Sequence, residues 1–384
     1  MKPNVKVIVL LVTATLAVAA LYFLNCGQQS KPVIECQDIV DQGFWDTATI
    51  EEVQRCVVDV EGGVSLRNKW GESPLHFSSK GNSPAIVQLL ISAGADIDAK
   101  GLSNETPLFR AKDTAIVELL IDNGADIHVA NKLKNTLLHD VTNPSIARLL
   151  LNAGANTEAK GRGEKTAIFY ATSADIVKLL IEAGADVNAS IKGRLTPLHQ
   201  VKDASIAKLL IDAGANTNAQ STKGITPLHL ARDPSIVSLL IDAEADVNAL
   251  DSKNATPLLS RVTGSSNISV IEILINAGAD VNKANNENIP PLLSLLTDYY
   301  TTNDASIAKM LVDAGADVNF KSANGDTILH FAIEGGNATI VKLLVEAGAE
   351  VDAKGNFGKT PLQKANEKGN EEIIQVLTKN GDEL

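Results

Sequence analysis

Six histidines and three cysteines are the residues of this chain best suited to acid–base, metal or redox chemistry. His76, His139, His199, His229 and His330 each fill the fourth position of a segment resembling Thr-Pro-Leu-His, and His128 follows Gly-Ala-Asp-Ile. A metal needs its ligands to converge at about 2 Å, and histidines a whole repeat apart cannot do so. His-Glu-x-x-His, Cys-x-x-Cys and Gly-x-Ser-x-Gly are all missing from the sequence. Residues 161–166, Gly-Arg-Gly-Glu-Lys-Thr, come near a phosphate loop but lack its Gly-Lys-Thr adjacency and preceding strand. They read instead as a turn entering a helix N-cap. The sequence therefore predicts no catalytic residue, no metal site and no cofactor.

The cysteines point to compartment rather than catalysis. Cys26, Cys36 and Cys56 all precede the repeats described below. Lys2 and Lys6 lead into residues 7–24, eighteen uncharged residues rich in Val, Leu and Ala, before a polar linker. A basic start and an apolar run mark an export signal, with Ala17-Val18-Ala19 as cleavage site. The run also nearly spans a bilayer, so a retained anchor is a second reading, lipidation at Cys26 a third and a buried core helix a fourth. The leading lysines keep the amino end cytoplasmic and place the rest of the chain outside. Cys36 and Cys56 flank residues 44–49 and are expected to form a disulfide that clips an amino-terminal cap, worth about 3 kcal/mol for a loop of about twenty residues. Two buried, reduced cysteines are the alternative. The terminal Gly-Asp-Glu-Leu carries Gly where a retrieval signal has a basic residue, and is read as coincidence.

The elements that position these residues follow from a repeat. Helix-start segments begin at Ser73, Thr106, Thr136, Thr166, Thr196, Thr226, Thr256, Pro290, Thr327 and Thr360, at intervals of 33, 30, 30, 30, 30, 30, 34, 37 and 33 residues. Such a period is the signature of stacked helical units. In the unit from Thr226, the threonine is an N-cap, Pro227 fits the first helical turn, and Asp233-Pro234 ends a short first helix. The second helix carries Ile236, Val237, Leu239, Leu240 and Ile241, too much apolar surface for one unit to bury alone. Gly94, Gly124, Gly154, Gly184, Gly214, Gly278, Gly315 and Gly348 are expected left-handed helix ends, with Glu61 and Glu244 in the same slot. A second left-handed slot precedes each threonine by two residues. Gly71, Asn104, Gly224, Asn254, Asn288, Gly325 and Gly358 suit it, but Lys134, Glu164 and Arg194 do not, so the middle fingers are expected to turn differently.

The Thr-Pro-Leu-His starts, with Gly-Ala-Asp-Val-Asn-Ala at residues 184–189 and a relative at 278–283, make the chain resemble ankyrin-repeat proteins from about residue 65 onward. The resemblance implies an all-α solenoid of helix pairs with short β-hairpin-like fingers, and a role in protein interaction. It also implies that the in-register imidazoles bond to neighbouring backbone and tie units together. The chain departs from the family pattern in its five 30-residue intervals, whose missing residues fall between the two helices. The first helix should be about one turn short there, with a shallower groove.

The expected organisation is a signal or anchor with linker at 1–30, a capping unit at 31–72, the array at 73–359 and a closing repeat at 360–384. A net charge of −12 and a pI near 5.0 speak against nucleic acid. Lysines and arginines gather in the fingers and acids at the ends of the second helices, either as a solvated surface or as a basic edge for an acidic partner. Aromatics are only 4% of the chain, so their placement carries information. Trp70, Phe357, Leu102 and Leu133 fall at or beside finger tips, and Tyr299 and Tyr300 in an insertion. Interfaces favour such residues, and these six are the candidate partner-binding set. The expectation is a monomeric, exported scaffold binding a protein partner through its concave finger side, touching membrane only through its first residues. A secreted effector or inhibitor of one target is the alternative. An enzyme would need a break in the repeat, for which residues 261–303 offer the best place.

Overall fold

A computed structural model describes residues 39, 42–81, 83–262, 267–297 and 304–381. Within it the chain divides into two compact units, Met1–Asp126 and Ile127–Leu384. The first contains Gln42–Trp45, Ile50–Val53 with the π-helical turn Gln54–Val58, then the helix pairs Pro74–Ser79 with Pro84–Ser92 and Pro107–Arg110 with Thr114–Asp122. Eight pairs follow in the second unit, from Leu137–Asp140 with Pro144–Asn152 to Pro361–Lys368 with Glu371–Gly381. Among the described residues there is no strand, only an isolated antiparallel bridge between Lys321 and Thr327.

The local sequence accounts for each start and stop. Thr196 is extended (φ −97°, ψ 168°) and Pro197 opens the first helix. Asp233 does not merely end the preceding helix. Its carboxylate caps the next one, accepting from the N–H groups of Ser235 and Ile236. Buried side chains recur at the same three positions of the second helices up to Ala338–Glu346, such as Ile206, Ala207 and Leu210, then Ile236, Val237 and Leu240. Second helices pack on second helices and first on first, as Ala204–Asp212 does on Pro234–Asp242. Burying one such Ile or Leu stabilises by about 1.5–3 kcal/mol.

The middle first helices are short, as their spacing requires. Pro197–Gln200 and Pro227–Leu230 are four residues long, and Ala167–Phe169 is a single 3₁₀ turn, against eight residues in Ile328–Gly335.

Two expectations about turns are corrected. Lys134, Glu164 and Arg194 adopt the left-handed conformation (φ 67°, 65° and 61°) just as the glycines and asparagines of other fingers do. Some fingers, such as that of Lys134, carry one left-handed residue, and others carry two in succession, as Gly163-Glu164 and Gly193-Arg194 do. In the Arg194 finger, Ile191 N–H donates to the Leu195 carbonyl (3.1 Å) and Arg194 N–H to the Ile191 carbonyl (2.8 Å). Those paired bonds hold the backbone against a steric cost of about 1–2 kcal/mol. At the first helix end, Gly62 rather than Glu61 is left-handed (φ 75°). Glu244 does take the left-handed form (φ 60°), and its N–H still donates to the Ile241 carbonyl as glycine's would.

Cys56 is fully buried in the π-helical turn, and Cys36 lies outside the described residues. Residues 7–24 also lie outside them, and no helix among the described residues is long and apolar enough to cross a membrane.

Glu244→Gly relieves the left-handed strain without touching a contact. Its unfolding free energy is expected to rise by about 1 kcal/mol less the extra freedom glycine has when unfolded, and its urea midpoint to rise with it. An unchanged or lower midpoint counts against strain at that joint.

Candidate functional site

The histidines are structural ties. Thr196 N–H donates to His199 Nδ1 (3.1 Å), so Nδ1 carries the lone pair and the neutral ring is protonated on Nε2. Nε2–H then donates to the Ile225 carbonyl of the next repeat (3.0 Å). The relay recurs from His76 to Glu105, His139 to Lys165, His229 to Ala255 and His330 to Lys359. Gly161 fits the crowded space beside one of them, where an added Cβ would lie 2.4 Å from Asn135 Oδ1 and 2.8 Å from the His139 ring. Burial holds the pKa values of His76, His139, His199 and His229 below the usual imidazole value. Where Phe109 and Phe169 replace histidine, the buried hydroxyls of Thr106 and Thr166 have no hydrogen-bond partner. His128 is exposed, and among the described residues no three His, Cys, Asp or Glu side chains converge on a metal-sized site.

A second relay explains the Asp-Val-Asn segments. Asn218 Nδ2–H donates to the Glu244 carbonyl (3.0 Å) and Asn218 Oδ1 accepts from Asp246 N–H (2.7 Å). Asn188, Asn248, Asn282 and Asn319 do the same one repeat on. Fingers bond to fingers as well: Thr222 N–H donates to the Gly193 carbonyl and Ser252 N–H to that of Lys223, both at 2.8 Å.

On this frame the expected contact residues stand out into solvent. In the first unit Trp70 is 49% exposed at a finger tip, with Lys69 Nζ 4.3 Å from its ring centroid, and Leu102 is exposed on the next finger. Arg110 pairs with Glu72 and Glu105 across those two fingers. In the second unit Leu133 is exposed on the first finger and Phe357 on the last, at 90% and left-handed (φ 57°). Each is held on its own finger, and the fingers between Leu133 and Phe357 keep those two apart. Tyr299 and Tyr300 lie outside the described residues.

A cavity of about 780 Å³ lies across the shortened repeats that start at Thr166, Thr196 and Thr226. Its lining includes buried Ile168, Ile206, Leu210 and Ile236, half-buried Phe169 and exposed Leu230, with Lys202, Asp203, Arg232 and Asp233 at the edge. At its edge Lys165 Nζ donates to Gln200 Oε1 (3.0 Å) and lies 5.9 Å from the Phe169 ring centroid. The run of 30-residue intervals was the signal.

Comparison with known proteins agrees with this architecture. Residues 50–131, 110–191, 198–285 and 299–384 match the family model described as ankyrin repeats (3 copies). An ankyrin repeat protein of fowlpox virus (strain NVSL) is 33% identical over 60 residues, covering 16% of this chain and 32% of the viral protein. The match thus spans about a third of that relative's length.

The buried imidazoles set a direction for pH. The folded state binds fewer protons than the unfolded one, so their contribution is complete above about 6.5 and is lost as pH falls toward the lowered folded values. The urea midpoint is expected to fall between pH 7.5 and 5. A His139→Gln/His199→Gln/His229→Gln variant should fall less, since Gln363 already fills this slot and accepts from Thr360 N–H (3.0 Å). Equal slopes for the two proteins would assign the acid sensitivity elsewhere.

Proposed function

The chain belongs to the ankyrin-repeat family, and from that premise we propose that it is an interaction scaffold whose finger and first-helix side holds a partner protein. One observation carries the reading. Large apolar side chains (Trp70, Leu102, Leu133 and Phe357) stand exposed on fingers that hydrogen bonds make rigid. Keeping such groups in water has no benefit to the fold, whereas presenting them on a stiff frame lowers the entropy cost of contact.

The reading includes export. Lys2 and Lys6 ahead of the apolar residues 7–24 support it, and Cys36 and Cys56 supply the pair that an oxidising compartment would close. In this proposal the disulfide fastens the first helices to the segment before them.

The test is cross-linking of the full chain in its own cells, followed by mass spectrometry and quantitative binding with the partner found. Trp70→Ala should weaken binding by about tenfold or more, in the range of interface hot spots, and Tyr299→Ala/Tyr300→Ala should weaken it too. Unchanged affinity in both variants rejects the finger surface. Cell-free translation with membranes tests export: protease protection of the repeats, lost on deletion of residues 1–30, is expected. Thiol titration of the exported form should find neither Cys36 nor Cys56 free.

A further inference from the structure

Cations in the second unit fall into two groups. On the second helices they are neutralised where they stand: Lys178 Nζ lies 4.0 Å from a Glu182 carboxylate oxygen and Lys208 Nζ 3.1 Å from one of Asp212, a turn further on. On the fingers they are not. Residues 130–135, 160–165, 190–195 and 220–225, four successive fingers in the same phase, hold eight lysines and arginines against one acid, Glu164. Glu164 lies 3.9 Å from Lys160. Lys132, Lys134, Arg162, Lys192, Arg194 and Lys223 are exposed and form no ion pair among the described residues. The row then ends, because residues 250–255 hold both Asp251 and Lys253 and residues 284–289 only Glu287.

The carboxylates nearest the row in this unit are turned to other partners. At the finger bases Glu158 accepts from Asp186 N–H (3.0 Å) and Asp186 from Asn188 N–H (2.8 Å). Asp140, on the first helix behind, accepts from Asn135 Nδ2–H (2.9 Å).

The backbones that carry the cations are tied together. Arg162 N–H donates to Asn135 Oδ1 of the preceding finger (2.9 Å), and the Arg162 carbonyl accepts from the Tyr170 hydroxyl (2.8 Å). Thr222 N–H bonds the fourth finger to the Gly193 carbonyl of the third (2.8 Å). Half-buried Lys165 is fixed at its tip as well. Its Nζ donates to Gln200 Oε1 (3.0 Å) and lies 5.6 Å and 5.9 Å from the ring centroids of Tyr170 and Phe169, with no carboxylate paired to it. Like charges held along one edge repel, and an anionic partner laid across them relieves that repulsion.

Spacing and density narrow the occupant. Packed helices of successive repeats lie about 8–10 Å apart, so four fingers spread their cations over about 24–30 Å, one to three at each step. A helix of about 16–20 residues covers that length. Duplex nucleic acid brings one charge per ~1.7 Å, and a chain of net charge −12 repels a polymer that dense. We propose that these four fingers dock an acidic segment of the partner protein, whose carboxylates meet one finger after another with Lys165 as the fixed point of the contact. The proposal rests on the scaffold reading above and names the chemistry of its partner.

The experiment titrates the full-length protein into an alanine-rich fluorescent peptide of about twenty residues with glutamates along one helical face, and into its glutamine twin. Saturable binding of the acidic peptide, weakening as salt rises, is expected. Binding should be about tenfold weaker for the glutamine twin and for Arg162→Glu/Lys192→Glu, and about threefold weaker for Arg162→Gln/Lys192→Gln. Neither position is left-handed, so the urea midpoint should stay where it is. Lys178→Glu/Lys208→Glu alters net charge equally, on the second helices, and should leave binding unchanged. Equal affinity for the two peptides, or equal loss from the finger and second-helix reversals, overturns the proposal. Tighter binding of a heparin fragment or of single-stranded DNA overturns it in favour of a polyanion. A wild-type dimer that Arg162→Glu/Lys192→Glu dissociates overturns it in favour of a second copy. The same variants measured against the cross-linked partner separate the two readings. Binding lost with Trp70→Ala but kept with Arg162→Glu/Lys192→Glu removes the acidic segment and leaves the scaffold. Binding kept with both removes the scaffold as well.

Discussion

Every second helix in the array is apolar toward two neighbours, and this is the constraint on which the rest depends. Ile236, Val237 and Leu240 are buried only because helices from the repeats before and after cover them. A helix pair standing alone would leave such side chains in water, so stability in an array of this kind is a sum over nearest-neighbour seams. Apolar contact is not directional, however, and would tolerate sliding. Register comes from polar relays laid across the same seams. His199 reaches the Ile225 carbonyl, and Asn218 grips both the Glu244 carbonyl and the Asp246 N–H. Each relay satisfies backbone groups that would otherwise face an imperfect seam.

Those relays also explain why so much potential chemistry is inert. An imidazole with Nδ1 accepting from a threonine N–H and Nε2 donating to a carbonyl has no free edge for a substrate. Its pKa falls because burial disfavours the charged form. The exposed groups lie elsewhere, on finger tips and around the hollow left by the shortened helices. The same frame thus uses its in-register histidines as fasteners and presents apolar side chains on its finger tips.

Much of this was legible in the residues. Thr, often followed by Pro, wrote most first-helix starts and Gly-Ala most second-helix stops, because those types satisfy free N–H groups and left-handed φ locally. Lys134, Glu164 and Arg194 were misread because propensity was set against a demand imposed from outside. Bonds across the finger fix the backbone whatever residue occupies it. The finger residues Trp70, Leu102, Leu133 and Phe357 were legible by position, since a tip one residue from a turn cannot be covered by its own repeat. The cavity was not. Its lining is assembled from three successive repeats, and a linear sequence does not show which of their side chains meet around one space. Nor did the sequence distinguish Asp233 as a helix stop from Asp233 as a cap, because both roles place the same residue before a proline.

The asparagine relay has a consequence for how such an array changes in length. Asn188, Asn218 and Asn248 each address main-chain atoms of the repeat that follows, with no dependence on its side chains. Excising or duplicating one thirty-residue module between Thr166 and Thr256 therefore presents each clamp with an equivalent carbonyl and N–H. A change in length by whole modules therefore keeps this clamp intact at the new junction, and each such change moves the hollow by one step relative to the fingers.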